Sequence, residues 1–580
     1  MSLSYQRGKL PGRNKRDFWT KIIVGAMIRK GYMDLHSMHS NAKNARRKNE
    51  ALLFRILKKN SDTVYGRRYH FSEIRTLEDY RRTVPVTGYH DYEAYIDRMV
   101  QKGETNLITA LPVIAYAQSS GTVGGRKYVP LTKPQVHVYT KHTVTRMMAC
   151  ADAYLRRNDG RRLKPGRGLY TNHAIYDYLP NGVLSSNVAD VAARRLGFLY
   201  PYILSNPYKR LFTQYEAEFR YVNTRFALQD RDTMFVFSVF LKMFTDLMLY
   251  LEKNWETIVD DIEKGKVSDI ARATPDVMEM LKAKIMPDPE RAAELRREFE
   301  KGFDETIVQR IWPNMSVICG IGTSTFEQFY KLSRTMTGEI PYDFSIYGAS
   351  EGLFAAVDEL NSPRQLMLVR SCFYEFIPVE DENRILCLDE LEIGKEYEIV
   401  ITNQAGLYRY KCGDVIKVTG YLDECPYIQF AYRKGQLLNL AGEKTTEAHM
   451  QAVVDGIAEK AGCRILNWTV DSVIKAQPCH YLLMLENDEG KKLSEYTDFA
   501  DERLRKINVR YQHFTDRGVL GRIAIADLAP GTNAEWMRIR EEGGTSASTI
   551  KPVRIIDSDD QKAFFTARIM GEGPGASGIR

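Results

Sequence analysis

The stretch AQSSGTVGGRKYVPLT, residues 117–132, crowds three hydroxyl side chains and three glycines ahead of two adjacent cations. Glycines let the backbone approach a ligand closely, and successive N–H groups in a turn form a concave nest for an anion. Ser119, Ser120 and Thr122 add hydroxyl donors around Gly121, and Lys127 adds a mobile positive charge. The pattern reads as a pocket for an anion with many oxygens or, taken alone, as a plain glycine-rich hairpin turn. It lacks the GKS or GKT ending of a P-loop. GIGTST, which begins at Gly320, lacks the third glycine of the dinucleotide fingerprint.

A second stretch, SIYGASEG, covers Ser345 to Gly352. Gly348-Ala-Ser350-Glu-Gly352 matches the GxSxG nucleophile elbow and stands between an apparent strand and an apparent helix. His449, His480 and His513 follow downstream, so a serine hydrolase using Ser350 has to be weighed. Against it, no HGGG-like oxyanion segment is found, and the charge of Glu351 would disfavour an oxyanion developing beside Ser350. A glutamate at the end of a strand is better suited to holding Mg2+ beside phosphates. In LYRYKCGDVIKVTGY, Asp414 follows a glycine and opens a strand. A carboxylate so placed can accept two hydrogen bonds from the cis hydroxyls of a ribose, whereas a lone Gly-Asp turn is a structural device. Near the C-terminus, ASTIKPVRI places Lys551 before a proline that restricts it to an extended conformation. Alone, that lysine reads as solvated.

These residues need elements to position them. LPVIAYAQ reads as a strand, the glycine-rich turn follows, and KYVPL reads as the returning strand. Residues 40–100 read as helices broken at SDTVYG and VPVTG, and 208–309 as helix upon helix, with MFVFSVFLKMFTDLMLYLEKNW as a core helix despite Lys242 and Asp246. Strand signals recur in MSVICGIG, YDFSIYG, QLMLVR, YEFIPV, EYEIVIT and VIKVTGY. The predicted fold class is α/β: a large N-terminal domain over residues 1–432 with mixed sheets and helices. A smaller α+β domain is expected over 433–580, after a boundary at RKGQLL.

With 580 residues, two or more domains are expected, and 44% hydrophobic with 27% charged residues is ordinary for a globular protein. A net charge of +8 suits an anionic small substrate and is too diffuse for nucleic acid. The basic head QRGKLPGRNKRDFWTK, followed by IIVGAMI, reads as the start of a solvated amphipathic helix, with a membrane-surface role as the alternative. That run is too short to span a bilayer, and no transmembrane segment is expected. Eight cysteines without a CxxC pair and ten histidines without zinc spacing, His36-x-x-His39 included, argue for reduced thiols in a cytoplasmic protein rather than a zinc site.

In this order the four stretches resemble the motifs of the auxin-responsive Gretchen Hagen family of acyl-acid amido synthetases, within the firefly-luciferase-type adenylate-forming superfamily. Ser119-Ser-Gly-Thr122, Tyr347-Gly-Ala-Ser350-Glu351, Tyr410-Lys411-Cys-Gly-Asp414 and Lys551-Pro-Val-Arg554 match the family's SSGTS-type, Y-x-S-S-E-type, Y-R-x-G-D-type and late-lysine motifs. The likeness extends through NSDTVYG, VPVTGYHDYEAYIDRM, WPNMSVICGIGTSTFEQFY and GLYRY, over nearly the whole chain. Three positions depart from the pattern: Val123 and Ala349 replace serines, and Lys411 replaces an arginine that could bind bidentately.

The resemblance implies ATP and Mg2+ as cofactors, with a small carboxylic acid and an amine, usually an amino acid, as substrates. A carboxylate would attack the α-phosphorus of ATP to give acyl-adenylate and pyrophosphate, and the amine would then displace AMP. By the same resemblance Ser119, Ser120, Gly121, Thr122 and Lys127 would line the phosphate site. Tyr347, Ser350, Tyr410, Lys411 and Asp414 would complete nucleotide binding, with Asp414 on the ribose. Glu351 would hold Mg2+, Thr323 would edge the adenine or acyl pocket, and Lys551 would reach the reacting oxygens from a mobile small domain. A thiol acceptor such as coenzyme A is the alternative second substrate.

Overall fold

The computed structural model describes residues 13–120, 126–172, 176–206, 216–272, 274–304, 306–323, 327–433, 438–487, 489–542, 553–556 and 558–570. The chain divides into two compact units, the larger holding the residues up to Ser119 and Tyr128–Tyr432, the smaller taking Ser120, Arg126 and Lys127 together with the residues from Arg433.

The larger unit contains three sheets. Its first eight strands are β1 (Val113–Ser120), β2 (Arg126–Thr132), β3 (Arg167–Tyr170), β4 (Tyr176–Tyr178), β5 (Leu184–Ser186), β6 (Thr233–Phe240), β7 (Val317–Ile321) and β8 (Tyr342–Asp343). They form two four-stranded sheets, ordered β2-β1-β5-β4 and β3-β6-β7-β8, the second parallel throughout. The expected pair of strands around the glycine-rich turn is found as β1 and β2.

The expected core helix from Met234 is a correction. Its first part is β6, the second strand of the parallel sheet, and the helix begins only at Leu241 and runs to Lys264. A fully buried strand and a buried helical turn are both continuous apolar runs, so periodicity cannot separate them; the aromatic and β-branched content of TMFVFSVF is the distinguishing signal. The two charges within the helix, Lys242 and Asp246, pair with each other one turn apart and are both buried.

The third sheet is built from β9 (Ile346–Ala349), β10 (Gly352–Ala356), β11 (Gln365–Met367), β12 (Phe373–Pro378), β13 (Glu396–Thr402), β14 (Tyr410–Leu422) and β15 (Cys425–Arg433), ordered β12-β13-β14-β15-β11-β10-β9. One face packs on the largest core, which includes Leu52, Ile56, Tyr80, Tyr92, Phe354 and Ile401. In the smaller unit, β16 (Ile465–Val473), β17 (His480–Asn487) and β18 (Ala524–Asp527) form one sheet, with β16 antiparallel and β18 parallel to β17. Helices at Glu447–Ala461 and Thr497–Ile507 complete an α+β unit.

The basic head leads into a helix, Arg13–Ala42, which is docked rather than merely solvated. Its Val24 and Ile28 enter a core with Met147, Met148 and Phe235. A Cβ on its Gly31 would meet the Thr145 carbonyl oxygen at 2.0 Å, so only glycine permits this approach to the helix Val144–Asp159. Among the described residues, no helix is long and apolar enough to cross a membrane. At the far end, His39 Nε2 lies 2.9 Å from Asp358 Oδ2, which also accepts from the Tyr427 hydroxyl at 2.7 Å.

The hydrogen bond to Asp358 raises the His39 imidazole above its ordinary value, against its partial burial. A raised value in the folded state means that the contact's extra stability is fully present below the ordinary imidazole value of about 6.5 and is lost as pH rises through the folded one. The melting-temperature gap between the unmodified protein and His39→Ala should therefore be widest near pH 5.5 and narrow toward pH 9. A gap that is constant across that range would contradict the charged pair.

Candidate functional site

The hairpin β9–β10 carries the second motif. Ala349 pairs with Gly352, which leaves Ser350 and Glu351 as a two-residue turn. This corrects the reading of Gly348–Gly352 as a nucleophile elbow: a strand follows the turn, not a helix. Neither Ser350 nor Glu351 has a positive φ. No histidine among the described residues hydrogen-bonds the Ser350 hydroxyl, and His449 instead caps its own helix through Thr446. A hydrolase reading has no geometric support.

The third motif lies inside a strand. Asp414 was expected to open a strand, but β14 starts at Tyr410 and is bulged: Lys411 faces Val400 and Val415 faces Glu398. Four steps along β14 thus match two along β13, so Cys412, Gly413 and Asp414 bow out of the ladder. Gly413 has φ +76, a conformation that strains any side chain, and this explains the glycine before the aspartate. Bulges re-aim side chains, and here Asp414 is re-aimed into the protein at 5% exposure.

In the sheet order β9 stands four strands away from β14. At the usual spacing of ~4.8 Å they would lie about 19 Å apart in a flat sheet. Instead the Tyr347 hydroxyl donates to Asp414 Oδ2 at 3.0 Å, and the Tyr410 hydroxyl approaches Glu351 Oε1 at 3.4 Å. The sheet therefore curls until its β9 edge returns over β14. The bonding is reciprocal: the tyrosine of each motif reaches the carboxylate of the other. All four side chains are buried.

Three residues that the sequence did not single out fix the turn itself. Asn403, just after β13, donates to the Glu351 carbonyl at 2.7 Å. Gln135 donates to the same carbonyl at 3.0 Å. The Tyr139 hydroxyl donates to the Ala349 carbonyl at 2.5 Å, and burial raises that hydroxyl well above its ordinary value, so it remains a donor. Gln135 and Tyr139 lie on the helix Lys133–His142, which follows β2 directly. Thr132-Lys-Pro-Gln135 is a capping-box sequence that could have drawn attention to Gln135. Neither half of that box forms: Thr132 makes no side-chain cap, and its hydroxyl and Gln135 Oε1 are buried with no hydrogen-bond partner. Forgoing a threonine cap costs about 1 kcal/mol.

Behind Tyr410, Arg409 adopts φ +47 and is buried on Glu375, with Nε to Oε2 at 2.8 Å and Nη2 to Oε1 at 3.2 Å. Its Nη1 donates to the Arg81 and Val84 carbonyls, and Arg81 Nε also reaches Glu375 at 2.9 Å. This network fixes the start of β14. Lys411 is turned toward Glu398 of β13, at 3.5 Å.

The structure does not gather every expected residue. Ser119 and Ser120 close β1, and Lys127 is half-buried in β2. Thr323 lies just beyond the carboxyl end of β7, half-buried, with no hydrogen bond to Tyr347, Glu351, Tyr410 or Asp414. Gly121, Thr122, Val123 and Lys551 lie outside the described residues.

The fold is that of a solved acyl acid amido synthetase. A structure of that protein titled as a complex with 2,4-DB superposes with a TM-score of 0.65 at 23% identity, covering 93% of this chain and 96% of that one. An indole-3-acetic acid-amido synthetase of Oryza sativa subsp. indica is 27% identical over 548 residues, 87% of each chain. A probable indole-3-acetic acid-amido synthetase of Arabidopsis thaliana is 26% identical, over 92% of this chain and 93% of its own length. Models of the GH3 family N-terminal, central and C-terminal domains match residues 34–342, 365–433 and 448–560. The chain belongs to the GH3 family, which bears out the resemblance carried by its motifs.

The Arg409 network gives a stability prediction. Glu375→Gln would leave the Arg409 charge buried without its counter-ion, and breaking such a pair from one side typically costs about 3–5 kcal/mol. Urea unfolding of the variant should show a loss of that size, and a loss below about 1 kcal/mol would mean that the pair does not hold β14.

Proposed function

We propose that this chain is an ATP-dependent acyl-acid amido synthetase, which joins a carboxylic acid to an amine of the amino acid class with conversion of ATP to AMP and pyrophosphate. The observation that carries this reading is the reciprocal bonding of Tyr347 to Asp414 and Tyr410 to Glu351, which gathers two carboxylates of different use at one curled sheet. The two relatives named above, both amido synthetases, support the same reaction class.

In this reading Asp414 accepts hydrogen bonds from the ribose hydroxyls, and Tyr347 orients it by occupying Oδ2. Ser119, Ser120, Gly121, Thr122 and Lys127 surround the phosphates, and Tyr410, Lys411 and Ser350 complete the nucleotide site. Thr323 edges the adenine or acyl pocket. Among the described residues no group of three or more His, Cys, Asp or Glu side chains could hold a metal ion. One buried carboxylate is the donor set that suits Mg2+ when nucleotide phosphates and waters supply the remaining oxygens. Glu351 would hold it, and Mg2+ supplies charge neutralisation at the phosphates.

The substrate carboxylate oxygen attacks the α-phosphorus as the bond to pyrophosphate breaks, with Lys551 offsetting the negative charge on the transferring oxygens. The protein's contribution is positioning and fixed charge. The amine then attacks the acyl carbon, AMP leaves, and the amine's surplus proton passes to solvent. In the same reading residues 433–580 form a smaller domain that carries Lys551, and the protein works in the cytoplasm, where its eight cysteines stay reduced.

The test is isotopic. With the acid labelled by 18O in its carboxylate, single turnovers with ATP and amine should yield AMP carrying one 18O and unlabelled pyrophosphate. Label in inorganic phosphate, with ADP as the product, would mean activation as an acyl phosphate and would overturn the proposal.

A further inference from the structure

The helix Lys133–His142 breaks its own local rule. Thr132 is its N-cap and Gln135 its third residue, yet the threonine makes no cap. The glutamine amide is turned instead toward the Ser350 and Glu351 carbonyls, at 3.5 and 3.0 Å. Two polar atoms, Thr132 Oγ1 and Gln135 Oε1, are left buried and unpartnered as a result. A helix start that gives up both halves of an available capping box indicates that its side chain serves another element, and local inconsistencies of this kind gather at functional sites.

That element is the turn bearing Glu351. A two-residue turn has few internal restraints, and the direction of the Glu351 carboxylate follows from where the turn's peptide planes lie. The Glu351 carbonyl is gripped from two sides, by Gln135 and by Asn403. Asn403 follows directly on β13, a strand of the same curled sheet as the turn. Gln135 comes from outside that sheet, three residues beyond the end of β2.

We propose that Gln135 is a positioning residue: by holding the Glu351 carbonyl it fixes the turn and so sets the direction of the metal-holding carboxylate. The proposal rests on the reading of Glu351 as the Mg2+ residue.

The test uses the full chain with variants at Gln135 and at Glu351. Gln135→Met keeps the length and removes the donor, while Gln135→His restores an N–H at similar reach. Calorimetry measures how much Mg2+ tightens ATP binding, as the ratio of the ATP dissociation constants without and with the metal. Outer-shell partners of metal ligands are typically worth 10–100-fold. Gln135→Met should lose about that factor from the ratio, with metal-free ATP binding and the KM for the acid unchanged, and Gln135→His should recover it. Amide hydrogen exchange should quicken over residues 349–353 in the Met variant and return in the His variant. If Gln135→Met does not fold, Gln135→Glu, equal in size and lacking the donor when ionised, is expected to show the same loss.

Glu351→Gln separates the two readings. If it keeps the full Mg2+ effect, the assignment of Glu351 fails. If it loses the effect while the donor-free Gln135 variant matches the parent protein in ratio and exchange, the positioning role is overturned.

Discussion

Two tyrosine–carboxylate contacts, Tyr347 to Asp414 and Tyr410 to Glu351, hold the site in its working shape. They join strands that sheet order sets four places apart, so they exist only because the seven-stranded sheet curls back on itself. Much of the surrounding structure can be understood as what that curl requires. The bulge at Gly413 aims Asp414 inward, the hairpin turn presents Glu351, and Arg409 on Glu375 anchors the strand that supplies two of the four partners. The arrangement uses groups that are expensive to bury. Each carboxylate is taken out of water beside a phenolic hydroxyl, which offsets part of the cost of burying its charge.

The same logic runs outward from the site. Gln135 and Asn403 spend their amides on one backbone carbonyl, and Arg146 is fully buried against Asp343 at 3.0 Å just ahead of β9. Such polar contacts add little net stability but penalise any alternative packing that would leave them unpaired. A core built from Leu, Ile and aromatic residues supplies the bulk of the folding energy, and the polar network selects one curl of the sheet.

The site was legible in the sequence to the extent that it is made of local patterns. Gly-Asp stood out because the positive φ of Gly413 favours glycine, and Ser-Glu-Gly and the glycine-rich stretch stood out by their residue types alone. Their mutual placement was not legible, since it depends on the register of β13 with β14 and on a curl fixed by contacts between distant residues. The nucleophile-elbow pattern at Ser350 misled because GxSxG describes a tight turn equally well in a hairpin. The strand β6 hid within a longer apolar run because burial on both faces erases the alternation that marks a strand. Gln135 carried a capping signature, and only the tertiary structure reveals that the signature is unused. Arg409 lay within a quoted motif, but its partner Glu375 is 34 residues away and carries no local mark.

The most direct test of this account is a crystal structure with a non-hydrolysable ATP analogue and Mg2+. The account predicts the ribose hydroxyls within hydrogen-bonding distance of the Asp414 carboxylate and the phosphates on the side of Glu351, with the Tyr347 and Tyr410 contacts retained. A nucleotide bound elsewhere, with Asp414 and Glu351 touching only their tyrosines, would contradict it.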